Sequence, residues 1–290
     1  NMDYKEPNIV AELCCNHQGS IDLAKRMIKV AAESKVTVIK LQKRNNKEFL
    51  TTEQYNTPHP NKMHSFGEPY GQHREFLEFT IDQHKELKLY AETLGLKYSC
   101  SSFDVSSAKL LISLNLDYIK VPSACNNNNQ MLKVLRDEYK GDVHISFGMT
   151  NHNEQEFIVN LFEEKNQSHR LVLYACTSGY PVSFENVCLL EIKRLQENFG
   201  NRVKNIGFSG HHHGIAVDIA AYTLGANWFE RHFTLDRTWK GTDQVFSLEP
   251  TGIRKLARDL RATKLALTYK KTEILDIEKT KGGYEKFKSE

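Results

Sequence analysis

The chain contains 290 residues, and its formal net charge of +3 at pH 7 is nearly neutral for this length. Hydrophobic residues make up 40% of the sequence and charged residues 26%, which is typical of a soluble globular protein with a large core. The basic residues form no concentrated stripe, which argues against a nucleic-acid partner. No run approaches the roughly 18 apolar residues of a membrane span, and residues 1–7 do not resemble a signal peptide.

The cysteines form no C-x-x-C pair, and several lie inside apolar, strand-like runs. This placement favours reduced, buried thiols and therefore a reducing, cytoplasmic compartment. The six positions are Cys14, Cys15, Cys100, Cys125, Cys176 and Cys188.

Taken in chain order, short apolar runs rich in β-branched residues alternate with segments of helical period. The predicted strands are 8–14, 36–41, 96–102, 118–122, 143–147, 171–175, 206–209 and 227–233. The predicted helices begin at Ser20 or Asp22 and then cover 81–94, 104–114, 130–139, 153–164, 185–198, 215–224 and 252–267. Asp104 and Asn153 are the expected N-caps of two of these helices. The polar stretch from Lys43 to about Phe79 shows no sustained period and predicts a long loop.

Eight strand–helix repeats within one chain of this length predict an α/β fold, a (β/α)8 TIM barrel. A doubly wound open sheet is the alternative, but its usual G-x-G-x-x-G phosphate loop is absent. No internal domain boundary is visible. We therefore expect one barrel domain over residues 1–267 and a charged tail over 268–290, which is either a short helix or a disordered end.

The barrel hypothesis places the active site at the carboxyl ends of the strands. The predicted strand ends carry Glu12, Lys40, Gln42, Ser99, Ser101, Lys120, Ser123, Ser146, Thr177, Ser178, Tyr180, Ser209, His211, Glu230 and His232. Lysine and glutamate are costly to bury inside strands unless they are paired. Two lysines with several serines suit an anion that bears phosphate and carboxylate groups.

His211 and His232 follow adjacent predicted strands, so a parallel sheet would place them at the same edge. Two imidazoles on neighbouring rigid strands are a plausible half of a divalent-metal site. The alternative is that they are ordinary polar loop residues, since a run of three histidines alone is weak evidence.

The sequence resembles the sialic acid synthase family, which comprises N-acetylneuraminate synthase and its relatives that make pseudaminic- and legionaminic-type sugars. The matching runs follow the family's order over about residues 8–250. They are IVAELCCNHQGS, VIKLQ, YGQHREFLEF, SCSSFD, YIKVPSACNN, ISFGMT, YACTSGYPVSFENV, GFSGHHHGI, GANWFERHFTLD and GTDQVFSLEP.

The resemblance implies a transferase that condenses phosphoenolpyruvate with an open-chain aldose such as N-acetylmannosamine. The products would be a 2-keto-3-deoxy sugar acid of the sialic-acid type and phosphate. It also implies a divalent metal, Mn²⁺ or Mg²⁺, and a homodimer. By motif, His211 and His232 would be the metal ligands, and the metal would polarise the aldehyde oxygen.

The resemblance assigns further residues by motif. Glu12 would position or deprotonate the water that adds at C2, and Glu230 would assist as a second carboxylate. The phosphoenolpyruvate-binding residues would be Lys40, Ser101, Lys120, Ser123, Ser146, Ser178 and Ser209. The sugar-binding residues would be Gln42, Tyr180 and Asp243.

Several positions depart from the family pattern. Gly210 stands where the family has an aspartate, CSSFD replaces S-T-P-F-D, and Phe147 replaces a threonine, which we expect to reshape the pocket. His212 and His213 have no family role, and each could be a third metal ligand or plain loop. The chain ends about 40 residues after SLEP. We therefore expect it to lack the family's C-terminal antifreeze-like domain.

Three hypotheses follow. The first is the metal-dependent synthase acting on N-acetylmannosamine or a related aldose. The second keeps phosphoenolpyruvate but uses a different aldose, either smaller or differently substituted. The third is a catalytically inactive barrel that serves as a binding subunit, because one fold hosts many functions.

Overall fold

A computed structural model describes residues 3–279. Eight parallel strands, hydrogen-bonded in sequence order, form a closed barrel in which β8 pairs with β1. The strands are β1 Asn8–Glu12, β2 Val38–Lys43, β3 Lys97–Ser102, β4 Tyr118–Val121, β5 Asp142–Ser146, β6 Leu171–Cys176, β7 Asn205–Gly210 and β8 Trp228–His232. The predicted (β/α)8 barrel is therefore confirmed.

Helices follow every strand and cover the outside of the barrel. The α-helices are α1 Ile21–Glu33, α2 Asn46–Phe49, α3 Thr52–Asn56, α4 Tyr70–Leu77, α5 Ile81–Thr93, α6 Val105–Ile112, α7 Asn129–Glu138, α8 His152–Glu163, α9 Glu191–Phe199, α10 Ala216–Thr223, α11 Pro250–Ala266 and α12 Asp276–Lys279. Short 3₁₀ turns lie at Lys62–His64, Ser123–Cys125, Ser168–Arg170 and Phe184–Asn186.

The prediction of a long loop between Lys43 and Phe79 is wrong. This stretch contains α2, α3, a 3₁₀ turn and α4. Two of these helices have only four or five residues, so they are too short to show a helical period in the sequence. Thr51 nevertheless forms a capping box with Gln54, which is the local signal that starts α3.

Two helix boundaries also differ from the prediction. Asn151, and not Asn153, caps α8, because its side chain accepts from the Glu154 amide while Glu154 accepts from the Asn151 amide. The helix expected over 185–198 begins only at Glu191. Cys188 has a φ of 50°, in the left-handed region, which interrupts any continuous helix from residue 185.

Side chains alternate between the two faces of each strand, so half of them point outward to the helices and half point into the barrel. Outward-facing side chains pack against the helices and form the main hydrophobic core. Inside the barrel, the amino-terminal end is filled by a small cluster of Val10, Val38, Tyr118 and Trp228. His144 stacks on the Tyr118 ring at 3.7 Å. This aromatic plug closes the lower end, so the polar groups lie above it.

A buried ionic network ties β8 to α10. Arg231 donates to Asp218 Oδ2 at 2.7 Å, and His212 Nε2 lies 3.0 Å from the same oxygen. The Arg231 guanidinium also donates to the His212 carbonyl, which holds the loop after β7. His212 is therefore a structural residue on the outer side of the barrel, whereas His213 is exposed.

The predicted tail lies partly within the described residues. Residues 268–279 are largely exposed and include α12, and residues 280–290 lie outside the described part. None of the helices within residues 3–279 combines the length and the apolar character needed to cross a bilayer. All six cysteines are free thiols.

The Arg231–Asp218 pair yields a stability prediction. We expect Asp218→Ala to lower the free energy of unfolding by about 3–5 kcal/mol, because it leaves a buried guanidinium without its carboxylate. Glu92→Ala, which breaks the exposed Lys88–Glu92 pair, is the control and should cost no more than about 1 kcal/mol. Urea denaturation followed by circular dichroism measures both, and equal losses would contradict the structural role of the network.

Candidate active site

The strand ends surround a cavity of about 230 Å³ at the carboxyl-terminal mouth of the barrel. Every residue to which the family resemblance assigns a role lines this cavity, except Ser178. Its lining includes Glu12, Lys40, Gln42, Ser101, Lys120, Ser123, Ser146, Tyr180, Ser209, His211, Glu230, His232 and Asp243. The barrel therefore brings together residues that lie as far apart in sequence as positions 12 and 243.

Two carboxylates and two amines form a buried cluster at the floor of the cavity. Lys40 pairs with Glu12 and lies 3.5 Å from Glu230, while Lys120 lies 3.0 Å from the other Glu230 oxygen. Lys40 also donates to the Ser101 hydroxyl at 2.6 Å. The strand register explains the arrangement, because Glu12 is opposite Lys40 on the adjacent strand. All four charges are less than a tenth exposed, and each has an opposite charge beside it.

The environments of the two carboxylates differ. Burial raises the pKa of Glu12 to about 7, although Lys40 opposes this shift. Burial alone would also raise the pKa of Glu230, but the charges of Lys120 and Lys40 outweigh it and lower this pKa to about 2. Two neighbouring carboxyl groups with separated pKa values are a common arrangement for dividing acid and base roles.

The two candidate metal-binding histidines lie side by side, as predicted. The ring centroids of His211 and His232 are 5.3 Å apart. Burial lowers the pKa of His211 to about 3 and that of His232 to about 4, so both rings are neutral at pH 7. Neutral imidazole is the form that ligates metals. Phe246 and Tyr180 pack against these rings with centroid distances of 4.8 Å and 4.5 Å, and they cover the pair from above.

The donor set fits a divalent cation. A ligand atom of Cys14, one of His232 and one of Asp243 all lie within 4.8 Å of one another. His211 Nδ1 lies 3.1 Å from the Thr177 carbonyl, which makes Nδ1 the donor and leaves Nε2 as an acceptor. His232 Nδ1 is buried and has no hydrogen-bond partner within the described residues.

Hydroxyl groups form a cradle beside the amines. The Gly148 amide donates to Ser123 Oγ at 2.9 Å. A Cβ at position 148 would come within 2.7 Å of Ser123 Oγ and closer still to Ser178 Oγ, so glycine makes room for both hydroxyls. Ser178 does not line the cavity, but its hydroxyl is buried beside the cradle without a partner among the described residues.

Two arginines in the cavity were missed by sequence reasoning. Arg44 lies 3.7 Å from the Phe103 ring centroid, and its Nε has no hydrogen-bond partner in residues 3–279. Arg74 donates from Nε to the Tyr70 hydroxyl. Arg44 directly follows β2, so its position was a usable signal. Arg74 lies on α4, within the stretch that was predicted to be a loop.

The cavity lining carries excess positive charge. Four cationic side chains face three carboxylates there, and the imidazoles are neutral. The lysines are compensated by Glu12 and Glu230, whereas neither arginine pairs with a carboxylate within the described chain. An anion that enters the cavity therefore meets two guanidinium groups that form no direct ion pair within the described chain, although Arg74 lies in the field of Asp243 and Arg44 in that of Glu78.

Other predicted positions lie elsewhere. Ser99 is one layer below the cavity, where it donates to the Tyr118 carbonyl, and Thr177 faces the Asn186 carbonyl. The expectation that Phe147 reshapes the pocket is wrong, because its ring packs in the outer core. Gly210 leaves space for the buried His212, since a Cβ there would come within 2.7 Å of that ring.

A larger cleft of about 650 Å³ lies at the amino-terminal end of the barrel. Tyr4, Gln196 and Asn205 are among its lining residues, and none of the converging strand-end groups faces it. Active sites in these barrels lie at the opposite face, so the smaller cavity is the candidate site.

Comparison with known proteins shows the family to which this chain is similar. The NeuB family model matches residues 27–272. Human N-acetylneuraminate-9-phosphate synthase is 37% identical over 270 residues, which cover 93% of this chain and 74% of that protein. N,N'-diacetyllegionaminic acid synthase of Campylobacter jejuni is 33% identical over 264 residues, covering 91% and 78%.

A solved structure agrees with the sequence comparison. The N-acetylneuraminic acid synthetase of Leptospira borgpetersenii, crystallised with citrate, superposes with a TM-score of 0.81 at 28% identity. The match covers 95% of this chain and 90% of that one.

Proposed function

Because this chain belongs to the NeuB family, whose named relatives are sugar-acid synthases, we propose that it condenses phosphoenolpyruvate with an open-chain aldose such as N-acetylmannosamine. The products are a 2-keto-3-deoxy sugar acid and inorganic phosphate. The observation that supports this most is the convergence of cations, hydroxyls, carboxylates and imidazoles in one cavity. The reaction needs all four kinds of group.

The anion site lies on the amine and hydroxyl side of the cavity. Lys40 and Lys120 present their ammonium groups there, and Ser101 is already in contact with Lys40. The hydroxyls of Ser123, Ser146, Ser178 and Ser209 supply directional hydrogen bonds to carboxylate or phosphate oxygens. The uncompensated positive charge of the lining draws the trianionic substrate into the mouth.

The metal site lies on the imidazole side. His211 and His232 would hold a divalent cation such as Mn²⁺ or Mg²⁺, which would polarise the aldehyde oxygen and make its carbon electrophilic. The Phe246 ring packs against both imidazoles, with centroid distances of 6.0 Å to His211 and 4.8 Å to His232. The pair would thus hold the aldehyde over the anion site, where proximity of the two substrates lowers the barrier.

We assign to Glu12 the activation of the water that adds at C2 of phosphoenolpyruvate. A new bond forms between C3 of phosphoenolpyruvate and the aldehyde carbon, and water adds at C2 before phosphate leaves. The Glu12 carboxylate lies at the centre of the cavity between Lys40 and Gln42, where it can position that water or accept its proton. Glu230 keeps both lysines in place from the opposite side.

Gln42, Tyr180 and Asp243 are the residues we assign to the sugar. All three line the cavity. The Gln42 amide lies beside Glu12 and Cys14, and the Tyr180 side chain is the most exposed of the three. The six free thiols suit a reaction in a reducing compartment such as the cytoplasm.

A phosphorylated aldose is a second candidate acceptor. Arg44 and Arg74 line the same cavity as the sugar residues and lack carboxylate partners within the described chain, as a second phosphate would require. The human relative is named a 9-phosphate synthase, which is a precedent for such a product.

The first prediction of the proposed function concerns His211. We expect phosphate release from phosphoenolpyruvate to require both an aldose and a divalent cation. His211→Ala should lower kcat/KM at least about 100-fold, because metal polarisation contributes several kcal/mol. His213→Ala, at an exposed neighbouring ring, is the control and should retain wild-type activity. Wild-type turnover by His211→Ala, measured as released phosphate, would refute the metal assignment.

The second prediction concerns the hydroxyl cradle. Gly148→Ala should raise the KM for phosphoenolpyruvate at least about tenfold, since the added methyl displaces the Ser123 and Ser178 hydroxyls and costs a charge-assisted hydrogen bond. Gly252→Ala places a methyl in ordinary van der Waals contact and should leave KM unchanged. Steady-state kinetics at saturating aldose distinguishes the two variants. An unchanged KM in Gly148→Ala would remove the cradle from the binding site.

The third prediction separates the two acceptors. For a phosphorylated aldose, Arg44→Gln should raise the acceptor KM at least about tenfold through loss of a charge-assisted contact, with a smaller effect on the KM for phosphoenolpyruvate. Lys47→Gln, an exposed cation nearby, is the control. A panel of aldoses with and without phosphate supplies the measurement. An unchanged KM for the phosphorylated aldose in Arg44→Gln would contradict this role of Arg44 and favour the unphosphorylated acceptor.

A further inference from the structure

Cys14 is an unassigned group at the centre of the candidate site. It follows β1 by two residues, is 5% exposed and lines the cavity. Its thiol donates to Asp243 Oδ2, and Gln42 Nε2 donates to its sulfur at 3.2 Å. We propose that Cys14 and Asp243 are metal ligands that complete, with His211 and His232, a Cys–His–His–Asp site. This inference rests on the metal-dependent reaction proposed above.

The spacing of the ligand atoms supports the proposal. One atom each from Cys14, His232 and Asp243 lies within 4.8 Å of the other two. Ligands of one tetrahedral ion, at bond lengths of about 2.0–2.3 Å, lie about 3.3–3.8 Å apart. Side-chain rotation therefore suffices to bring these three atoms onto one cation.

The two histidines have the hydrogen bonding that ligation requires. The Thr177 carbonyl orients His211 through Nδ1, so Nε2 is free to bind. His232 Nδ1 is buried and unpartnered among residues 3–279, and the ring of His232 lies beside that of His211. A cation in this space would satisfy a polar atom that the protein otherwise leaves unpaired.

The backbone at Cys14 gives a second reason. Its φ of 51° lies in the left-handed region, which glycine adopts freely and cysteine adopts only with strain. Such strain is commonly retained where a side chain is functional. The neighbouring Cys15 is also buried, and its sulfur lies 3.5 Å from Asp243 Oδ2 and 3.6 Å from the Cys14 sulfur. It does not line the cavity, so Cys14 is the thiol that we assign to the cation, and Cys15 is the alternative that the experiment must separate from it.

A thiolate changes which cation the site prefers. Soft sulfur ligands favour Zn²⁺, Co²⁺ and Fe²⁺ over Mg²⁺, which prefers oxygen ligands. Binding replaces the S–H bond with a sulfur–metal bond and releases one proton to solvent. The carboxylate of Asp243 then turns from the thiol to the cation. The proposed site should therefore bind borderline transition metals more tightly than Mg²⁺.

Titration of the chelator-treated full chain with Co²⁺, in a phosphine reductant, tests the proposal. Wild type should bind one Co²⁺ with a near-ultraviolet thiolate-to-cobalt charge-transfer absorption, which Zn²⁺ abolishes and excess Mg²⁺ does not. Cys14→Ser should lose this absorption and bind Co²⁺ about 10–100-fold more weakly. Cys15→Ser is the matched control and should retain both properties. Cys14→Gly, which suits the left-handed backbone, should behave as Cys14→Ser does and guards against misfolding of the serine variant.

The outcomes separate this inference from the proposed function. One Co²⁺ bound by wild type without charge-transfer absorption, and lost in His211→Ala, overturns the role of Cys14 and leaves the two-histidine metal site intact. Absorption that persists in Cys14→Gly, or disappears in Cys15→Ser, also overturns it. Failure of wild type to bind any Co²⁺ overturns both the inference and the metal-dependent mechanism.

Discussion

The buried cluster of Glu12, Lys40, Glu230 and Lys120 is the constraint on which the candidate site depends. Each of these charges would be prohibitively costly inside the barrel alone, and each is compensated by an opposite charge on a neighbouring strand. The pairing fixes four side chains without help from a ligand. Their field is therefore organised before substrate arrives, which is the condition under which electrostatic stabilisation of a transition state is most effective.

The ion pairs within the cluster also determine how much positive charge the cavity offers to an anionic substrate. Because the lysines are already paired, their net attraction for an anion is reduced, and the arginines from outside the strands supply the uncompensated charge. The strands thus hold the groups to which we assign the chemistry, whereas Arg44 and Arg74 lie on the segments that follow β2. This division is common in barrels, where a rigid scaffold carries chemistry and the connecting segments vary with the substrate.

The fold and much of the site followed from sequence for a physical reason. In a parallel barrel every strand ends at the same face, so a polar residue at a strand end has a predictable location, as Lys120 and Glu230 show. The positions of residues on the connecting segments cannot be predicted in this way. Cys14 and Asp243 meet across 229 positions because the loop after β8 folds back over the mouth. Likewise, His212 and His213 are indistinguishable as letters, and only packing against Asp218 makes the first structural.

The aromatic plug of Tyr118, His144 and Trp228 gives the barrel a single entrance. His144 is fully buried in the plug, and its Nδ1 lies 2.8 Å from the Tyr174 hydroxyl. The Tyr174 ring in turn lies 4.1 Å from the Lys120 ammonium, so it links the plug to the polar cluster. The interior is consequently a blind well, not a tunnel. If the two proposed substrates occupy the floor and the rim, the one at the floor would have to enter first and leave last. The stacked rings at the far end of the strands would then set an order of arrival and departure for chemistry that they do not touch.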